Sequence, residues 1–202
     1  MDKKIVLPGD LVADKPVKLE GCFVENGKTY AAVVSVTQED RTIPLKGRYL
    51  PNYGDYVVGI IKDERFSGYS VEINSPYEGQ LSNRDTREEF RVGDVVLVKI
   101  MAVDEVNSAI VVEPRRLTGG EIIEIESVKV PRVIGRSGSM LAILRQYTET
   151  DVIVGKNGRI YLKGGNTVLA TLAILKICRE AHTSGLTDRM TAFLQNESKK
   201  VN

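Results

Sequence analysis

Histidine and cysteine are nearly missing from this chain of 202 residues, which carries one His and two Cys. With His182 as the only histidine, a Ser-His-Asp or Cys-His catalytic arrangement is disfavoured. His182 lies just beyond an expected long helix and before a glycine suited to stopping it, a structural position. Cys22 and Cys178 are far apart and neither belongs to a paired-cysteine motif, so no disulfide framework and no zinc ribbon is implied; both read as buried thiols. No internal apolar run approaches the roughly 20 residues that span a bilayer, and the N-terminus lacks a signal-peptide core. A cytoplasmic protein without membrane contact is therefore expected. A Walker loop is missing too, since Gly135 to Ser139 has no lysine after its second glycine. Glu121, Glu124 and Glu126 alternate with isoleucines as a wet strand face does, so they do not read as metal ligands. The chain is expected to be neither an enzyme nor a cofactor carrier.

Hydrophobic residues make up 42% of the chain, enough for real cores, and the length suits two or three small domains. The net charge of +1 hides an uneven distribution. Residues 1–53 hold 8 basic and 7 acidic side chains, residues 54–118 hold 8 and 12, and residues 119–202 hold 12 and 8. The last third is the basic one, although a surplus of this size is also common on a solvated face.

Within that third, Pro131 to Leu144 places a short apolar helix, a Gly-x-x-Gly loop (Gly135, Arg136, Ser137, Gly138) and a second apolar helix in direct succession. The two glycines let the backbone approach a sugar-phosphate chain closely. The unpaired N–H groups of the helix that follows aim back at the loop, where a phosphate meets free donors and the positive end of a dipole. Arg136 adds a full charge. A bare Gly-x-x-Gly is usually just a turn, but its surroundings matter here. Ile122, Ile123, Ile125, Val128 and Val130 form a strand-like run before it, and Ser139 to Thr148 carries Leu141, Ile143, Leu144 and Tyr147 at helical spacing. Val152 to Val154 and Ile160 to Leu162 follow as a hairpin whose turn, Gly155-Lys156-Asn157-Gly158, has the Asn-Gly signal. A long helix with Val168, Leu169, Leu172, Ala173, Leu175, Lys176 and Cys178 closes the unit. This order resembles a KH domain of the eukaryotic and archaeal topology, type I. The resemblance implies that Gly135 to Gly138 grips the backbone of about four nucleotides, with Ile134, Leu141 and Ile153 serving either an apolar groove beside the loop or the core.

The middle segment, residues 54–118, reads as an all-β barrel of five strands, OB-type, with short alternating apolar runs punctuated by Gly, Asp and Asn. Gly59 to Tyr69, Tyr77 to Leu81 and Phe90 to Val96 resemble the RNA-binding OB domain first named for ribosomal protein S-one. In that family aromatic residues on the second and third strands stack on bases, positions matched by Phe66 and Tyr69; each ring serves equally well as barrel filling. Ser82 stands where a histidine often follows the Glu-Gly motif, so RNA contact by this barrel is expected to be weaker or to rely on Arg65, Lys99, Arg115 and Arg116.

Residues 1–53 contain short β elements with Gly and Pro between them, a module suited to docking. Leu7-Pro8-Gly9-Asp10, Gly47-Arg48-Tyr49-Leu50-Pro51 leading into Gly54-Asp55, the barrel, the KH unit and Thr183-Ser184-Gly185-Leu186-Thr187 together resemble the KH-containing RNA-binding cap subunits of the archaeal exosome. The resemblance covers almost the whole chain. It implies a three-membered cap on a hexameric ring of ribonuclease-PH-like subunits, alone or mixed with the zinc-ribbon cap type. The cap would not cut but would receive RNA and guide its 3′ end to the ring. The N-terminal module and parts of the KH domain would hold the ring, with the barrels around the pore. Two alternatives stand beside it: a free-standing OB/KH regulator of translation or transcription, and a protein-docking adaptor with degenerate RNA surfaces.

Overall fold

Alternating apolar residues broken by glycine and asparagine turns produce, among the described residues, fourteen strands before and between four α-helices. The computed structural model describes every residue except 1–3, 18, 20, 39–40, 46, 87, 105–107, 182–184 and 202. His182 and the Thr183-Ser184 pair thus lie outside the described residues. The described chain falls into two compact units, 1–48 and 49–202.

In the first unit, β1 (Lys4–Val6), β5 (Ser35–Gln38) and β6 (Arg41–Pro44) form one antiparallel sheet in the order β1-β5-β6. A second sheet has the order β2-β4-β3, from β2 (Leu11–Ala13), β4 (Lys28–Ala31) and β3 (Cys22–Glu25). Asp10 closes the turn into β2 by accepting from the Leu7 N–H at 2.8 Å. Thr29 is buried and its hydroxyl donates to the Lys15 carbonyl at 2.8 Å while accepting from the Val17 N–H at 2.9 Å, tying the β2–β3 connection to β4. The unit buries little apolar surface: Ile5, Leu7, Leu11, Phe23 and Val24 are exposed.

The second unit begins at Tyr49, five residues before the boundary expected after residue 53. The reason is packing: Tyr49 is buried in the barrel core and its hydroxyl donates to Asp55 at 2.8 Å. The barrel strands are β7 (Tyr56–Arg65), β8 (Gly68–Glu72), β9 (Glu78–Ser82), β10 (Val95–Val103) and β11 (Ser108–Leu117). They close in the order β10-β11-β9-β8-β7, with β7 pairing back onto β10 and one parallel pair, β9 with β11. This is the five-stranded OB architecture. Inward residues alternate along the strands, Val57, Ile61, Val71, Leu81, Val96, Val98, Ile100 and Val111 among them.

The KH-like part has the antiparallel order β12-β14-β13, with β12 (Glu121–Glu124), β13 (Asp151–Val154) and central β14 (Arg159–Lys163). The strand run expected through Val130 ends at Glu124. Ser127–Lys129 forms a 3₁₀ turn and Val130 already opens α1 (Val130–Ile134), where Pro131 suits the first turn because its missing N–H would be unpaired there. α2 (Ser139–Thr148) and α3 (Thr167–Glu180) cover one face of the sheet. On α3 the buried stripe is Leu169, Ala170, Ala173, Ile174 and Ile177, whereas Val168, Leu172 and Leu175 are exposed. The helix is apolar around more than half its girth, and the sheet takes the face with the two alanines. Asn166 caps α3, its side chain accepting from the Leu169 N–H at 2.9 Å. A last helix, α4 (Leu186–Val201), was not expected; Leu186, Met190 and Leu194 bury one stripe against α2 and α3. Both cysteines are half-buried rather than buried, and burial pushes the Cys178 thiol up to about 11. Among the described residues no helix is long and apolar enough to cross a membrane.

Barrel and KH sheet meet face to face. Val58 and Leu117 from the barrel bury Tyr161, with Val95, Leu97, Ile122 and Ile153 packed around them. Polar contacts fasten this seam at the β13–β14 turn. Asn157 is 1% exposed; its side-chain carbonyl accepts from the Val58 N–H at 3.3 Å and its NH2 donates to the carbonyls of Val58 at 2.8 Å and Ile73 at 2.9 Å. β8 pairs with β7 only from Ile60 onward, so the outer edge of β7 at Val58 lacks a strand partner. The Asn157 carboxamide supplies that missing rung, and the Lys156 N–H adds a bond to the Tyr56 carbonyl at 2.9 Å. Buried Arg159 joins Glu124, at 2.8 Å, to Glu72 of β8, donating also to the Glu72 carbonyl at 3.1 Å. Glu124 is thus an ion-pair partner and not merely a wet strand residue.

Candidate nucleic-acid interface

The Gly-x-x-Gly loop owes its shape to its two glycines. Gly135 sits at φ +76°, and a Cβ there would stand 2.7 Å from the Met140 N and 2.8 Å from its Cβ. Gly138 is left-handed at φ +78° with open space around it. Between them Ser137 is also left-handed, at φ +51°, a conformation that costs a non-glycine residue of order 1–3 kcal/mol. The result is a tight turn whose outer surface is Arg136 and Ser137, both exposed. α2 starts directly behind it; its first amide, Ser139 N–H, donates to the Arg136 carbonyl, but no side chain caps the turn, at the positive end of a ten-residue helix. Among the described residues no ion pair engages Arg136. Exposed cation, exposed hydroxyl, close backbone and uncapped helix end converge on one short surface, which is what an RNA phosphate requires.

Beside the loop, Leu141 packs partly into the KH core and Ile134 is half-buried. Ile153 lies elsewhere: strand alternation sends Val152 and Val154 to the helices and Ile153, half-buried, to the barrel seam, so it forms no part of a groove at the loop.

On the barrel, the expected RNA-contacting residues separate. Phe66 stands fully exposed at the tip of the β7–β8 hairpin, a free ring face for base stacking. Tyr69 does not share that role. It is 8% exposed, meets Phe90 edge-on at 5.5 Å, and its hydroxyl accepts from the Phe90 N–H at 3.3 Å. The ring fills the barrel, which corrects its reading as a stacking platform. Arg65, next to Phe66, is half exposed but held by Glu78 at 3.1 Å. The Ser70 hydroxyl, together with Arg65, keeps the Glu78 carboxyl below its ordinary value.

Lys99 and Arg115 lie elsewhere. Lys99 is opposite Tyr56, nine positions back along β7 from Arg65 and roughly 30 Å of strand away. Its ammonium pairs with Glu113 at 3.0 Å, and that hydrogen bond raises it from its ordinary value. Arg116 is committed to protein: it pairs with Asp94 at 3.1 Å, donates to the Glu89 carbonyl and lies 5.0 Å over the Phe90 ring. Its expected place on an open RNA surface is therefore corrected. Arg115 is exposed at the seam, and Ser82 is half-buried at the end of β9. Among the described residues no group of His, Cys, Asp and Glu could hold a metal ion.

No protein-family model matches the chain. Curated relatives do: the exosome complex component Rrp4 of Pyrococcus abyssi is 38% identical over 99% of this chain and 85% of the relative, and that of Methanosarcina acetivorans is 40% identical over 98% and 84%. This chain belongs to the Rrp4 family. Rrp4 of Methanothermus fervidus, 36% identical, is covered to 96% in both directions. A crystal structure whose name assigns it to the exosome complex RNA-binding proteins superposes with a TM-score of 0.69 at 37% identity, covering 77% of this chain and 99% of the other. For an Rrp4-type chain, β module, OB barrel and type I KH unit stand in the order read from the sequence.

Proposed function

We propose that this Rrp4-family chain is a non-catalytic RNA-binding subunit of the archaeal exosome. It recruits RNA through the Gly135–Gly138 loop and the exposed hairpin tip at Phe66, and guides the 3′ end toward degradation in a ring of ribonuclease-PH-like subunits, as one of three cap copies. The observation that carries RNA binding is the loop itself: two glycines in left-handed or crowded positions, an exposed Arg136, and an uncapped helix directly behind. The exosome assignment draws on near-full-length kinship with Rrp4 proteins. The first unit supports docking to a ring, since Ile5, Leu7, Leu11, Phe23 and Val24 are exposed on a module with few buried apolar residues of its own. Residues 1–48 are read as the docking part, 49–118 as the barrel and 119–202 as the KH part, working in the cytoplasm.

Affinity purification of the tagged chain from its native cells, with mass spectrometry and a phosphate-dependent RNA decay assay on the eluate, tests this. Co-purified ribonuclease-PH-like subunits and 3′-to-5′ decay are expected. A solitary protein that binds RNA would instead make it a free-standing regulator.

A further inference from the structure

Among the described residues three buried side-chain polar atoms lack a hydrogen-bond partner: Thr42 Oγ1, Arg116 Nε and the Tyr161 hydroxyl. Two of the three line one cleft. It opens at the seam between barrel and KH sheet, with a volume of about 210 Å³, bounded by Arg115, Arg116 and Thr118 on the barrel side and by Asp151, Tyr161 and Lys163 on the KH side. Arg115 and Lys163 are exposed at its rim, and among the described residues neither enters an ion pair. The charges left over are positive, because Asp151 faces Arg145 at 3.9 Å and Arg116 is balanced by Asp94 at 3.1 Å.

Two uncompensated cations beside one small polar opening fit an anion. The cleft is too small for a typical drug-sized ligand, whose pockets run about 300–1,000 Å³. It lies at the far end of α2 from the Gly-x-x-Gly loop, since Asp151 follows that helix by three residues and the helix is about 15 Å long. We propose that this cleft is a second phosphate-binding subsite for RNA, in which Arg115 of the barrel and Lys163 of the KH sheet clasp a backbone phosphate between them. The proposal rests on the RNA-binding reading of this chain and extends it to a place where neither domain alone is sufficient. Each domain supplies one cation, so the subsite exists only while the seam is closed.

The test uses the full chain and a labelled single-stranded RNA, with anisotropy titrations at several salt concentrations. The variant Arg115→Gln/Lys163→Gln is compared with a charge-matched control, Arg91→Gln/Arg179→Gln, two exposed cations on other surfaces. Loss of the clasped phosphate should weaken binding about tenfold and flatten the plot of log K against log salt by about 0.7, the value for one phosphate on a single strand; the control should change the slope little. If the two variants weaken binding and flatten the slope alike, only diffuse charge is at work and the subsite is refuted. An unchanged affinity and slope in the cleft variant, with the Arg136→Asp/Ser137→Asp variant impaired, refutes the subsite and leaves the loop reading standing. A wild-type chain that does not bind RNA overturns both.

Discussion

Asn157→Ala should loosen the joint between barrel and KH domain. The carboxamide makes three hydrogen bonds, of 2.8, 2.9 and 3.3 Å, in a site 1% exposed. At about 1 kcal/mol net for each, the loss is about 3 kcal/mol, and it grows if the Val58 and Ile73 backbone groups stay unpaired. Asn157→Asp is the sharper variant. It preserves the acceptor for the Val58 N–H but replaces the donor to two carbonyls with an oxygen, so it should cost at least as much as alanine. Hydrogen exchange at the Val58 amide reads the effect locally: about 3 kcal/mol corresponds to exchange faster by on the order of a hundredfold. Urea unfolding gives the global value. A loss under about 1 kcal/mol in both measurements would show that Asn157 is no more than a turn residue and that the apolar seam holds alone.

Gly135→Ala should destabilise the fold by about 2 kcal/mol through its positive φ and the Met140 contact, whereas Arg136→Asp/Ser137→Asp should leave the melting temperature near wild type and weaken RNA binding at least tenfold; calorimetry and anisotropy separate the two. Phe66→Ala should cost RNA affinity of about 1–3 kcal/mol without changing stability, and Tyr69→Ala should cost stability of about 3 kcal/mol, so a reversed pattern would exchange their roles. Glu78 lies below its ordinary value of 4.5 chiefly through the Ser70 hydroxyl, so its contribution is complete above about pH 4.5 and lost as pH falls through the folded-state value. Glu78→Gln should therefore narrow the stability difference between neutral and acidic pH, measured by thermal melts; an unaltered acid limb would refute that coupling.

Local chemistry was the legible part of this fold. The Gly-x-x-Gly loop, the helix from Ser139 to Thr148 and the β13–β14 hairpin stand where spacing placed them, because glycines, helical periodicity and an Asn-Gly turn act over a few residues. Sequence could not say what lies across the seam. Asn157 reads as a turn signal in any chain, and its service as a substitute rung for β7 depends on Val58, far away in sequence. Tyr69 and Phe66 look alike on paper; only the closure of the barrel decides that one ring is inside and the other at the tip. α4 had a usable signal, Leu186, Met190 and Leu194 at successive helical turns, diluted by the many polar residues between them.

A KH sheet packed on one face by helices leaves its other face to water or to a partner. Here that face carries Ile122, Ile153 and Tyr161, too apolar to stand open, and the barrel answers with Val58, Val95, Leu97 and Leu117. The KH part and the barrel consequently form one compact unit, with Asn157 and Arg159 as polar fasteners. Joined by a flexible linker, two RNA-binding surfaces would each have to be oriented anew whenever RNA arrived. A closed seam settles their orientation beforehand, so in the proposed role the chain would engage a strand at two places without that entropic cost. In that role the same fixed orientation would set the strand's path between Gly135–Gly138 and the barrel, which a subunit that feeds RNA ends toward a pore needs and a simple RNA tether does not.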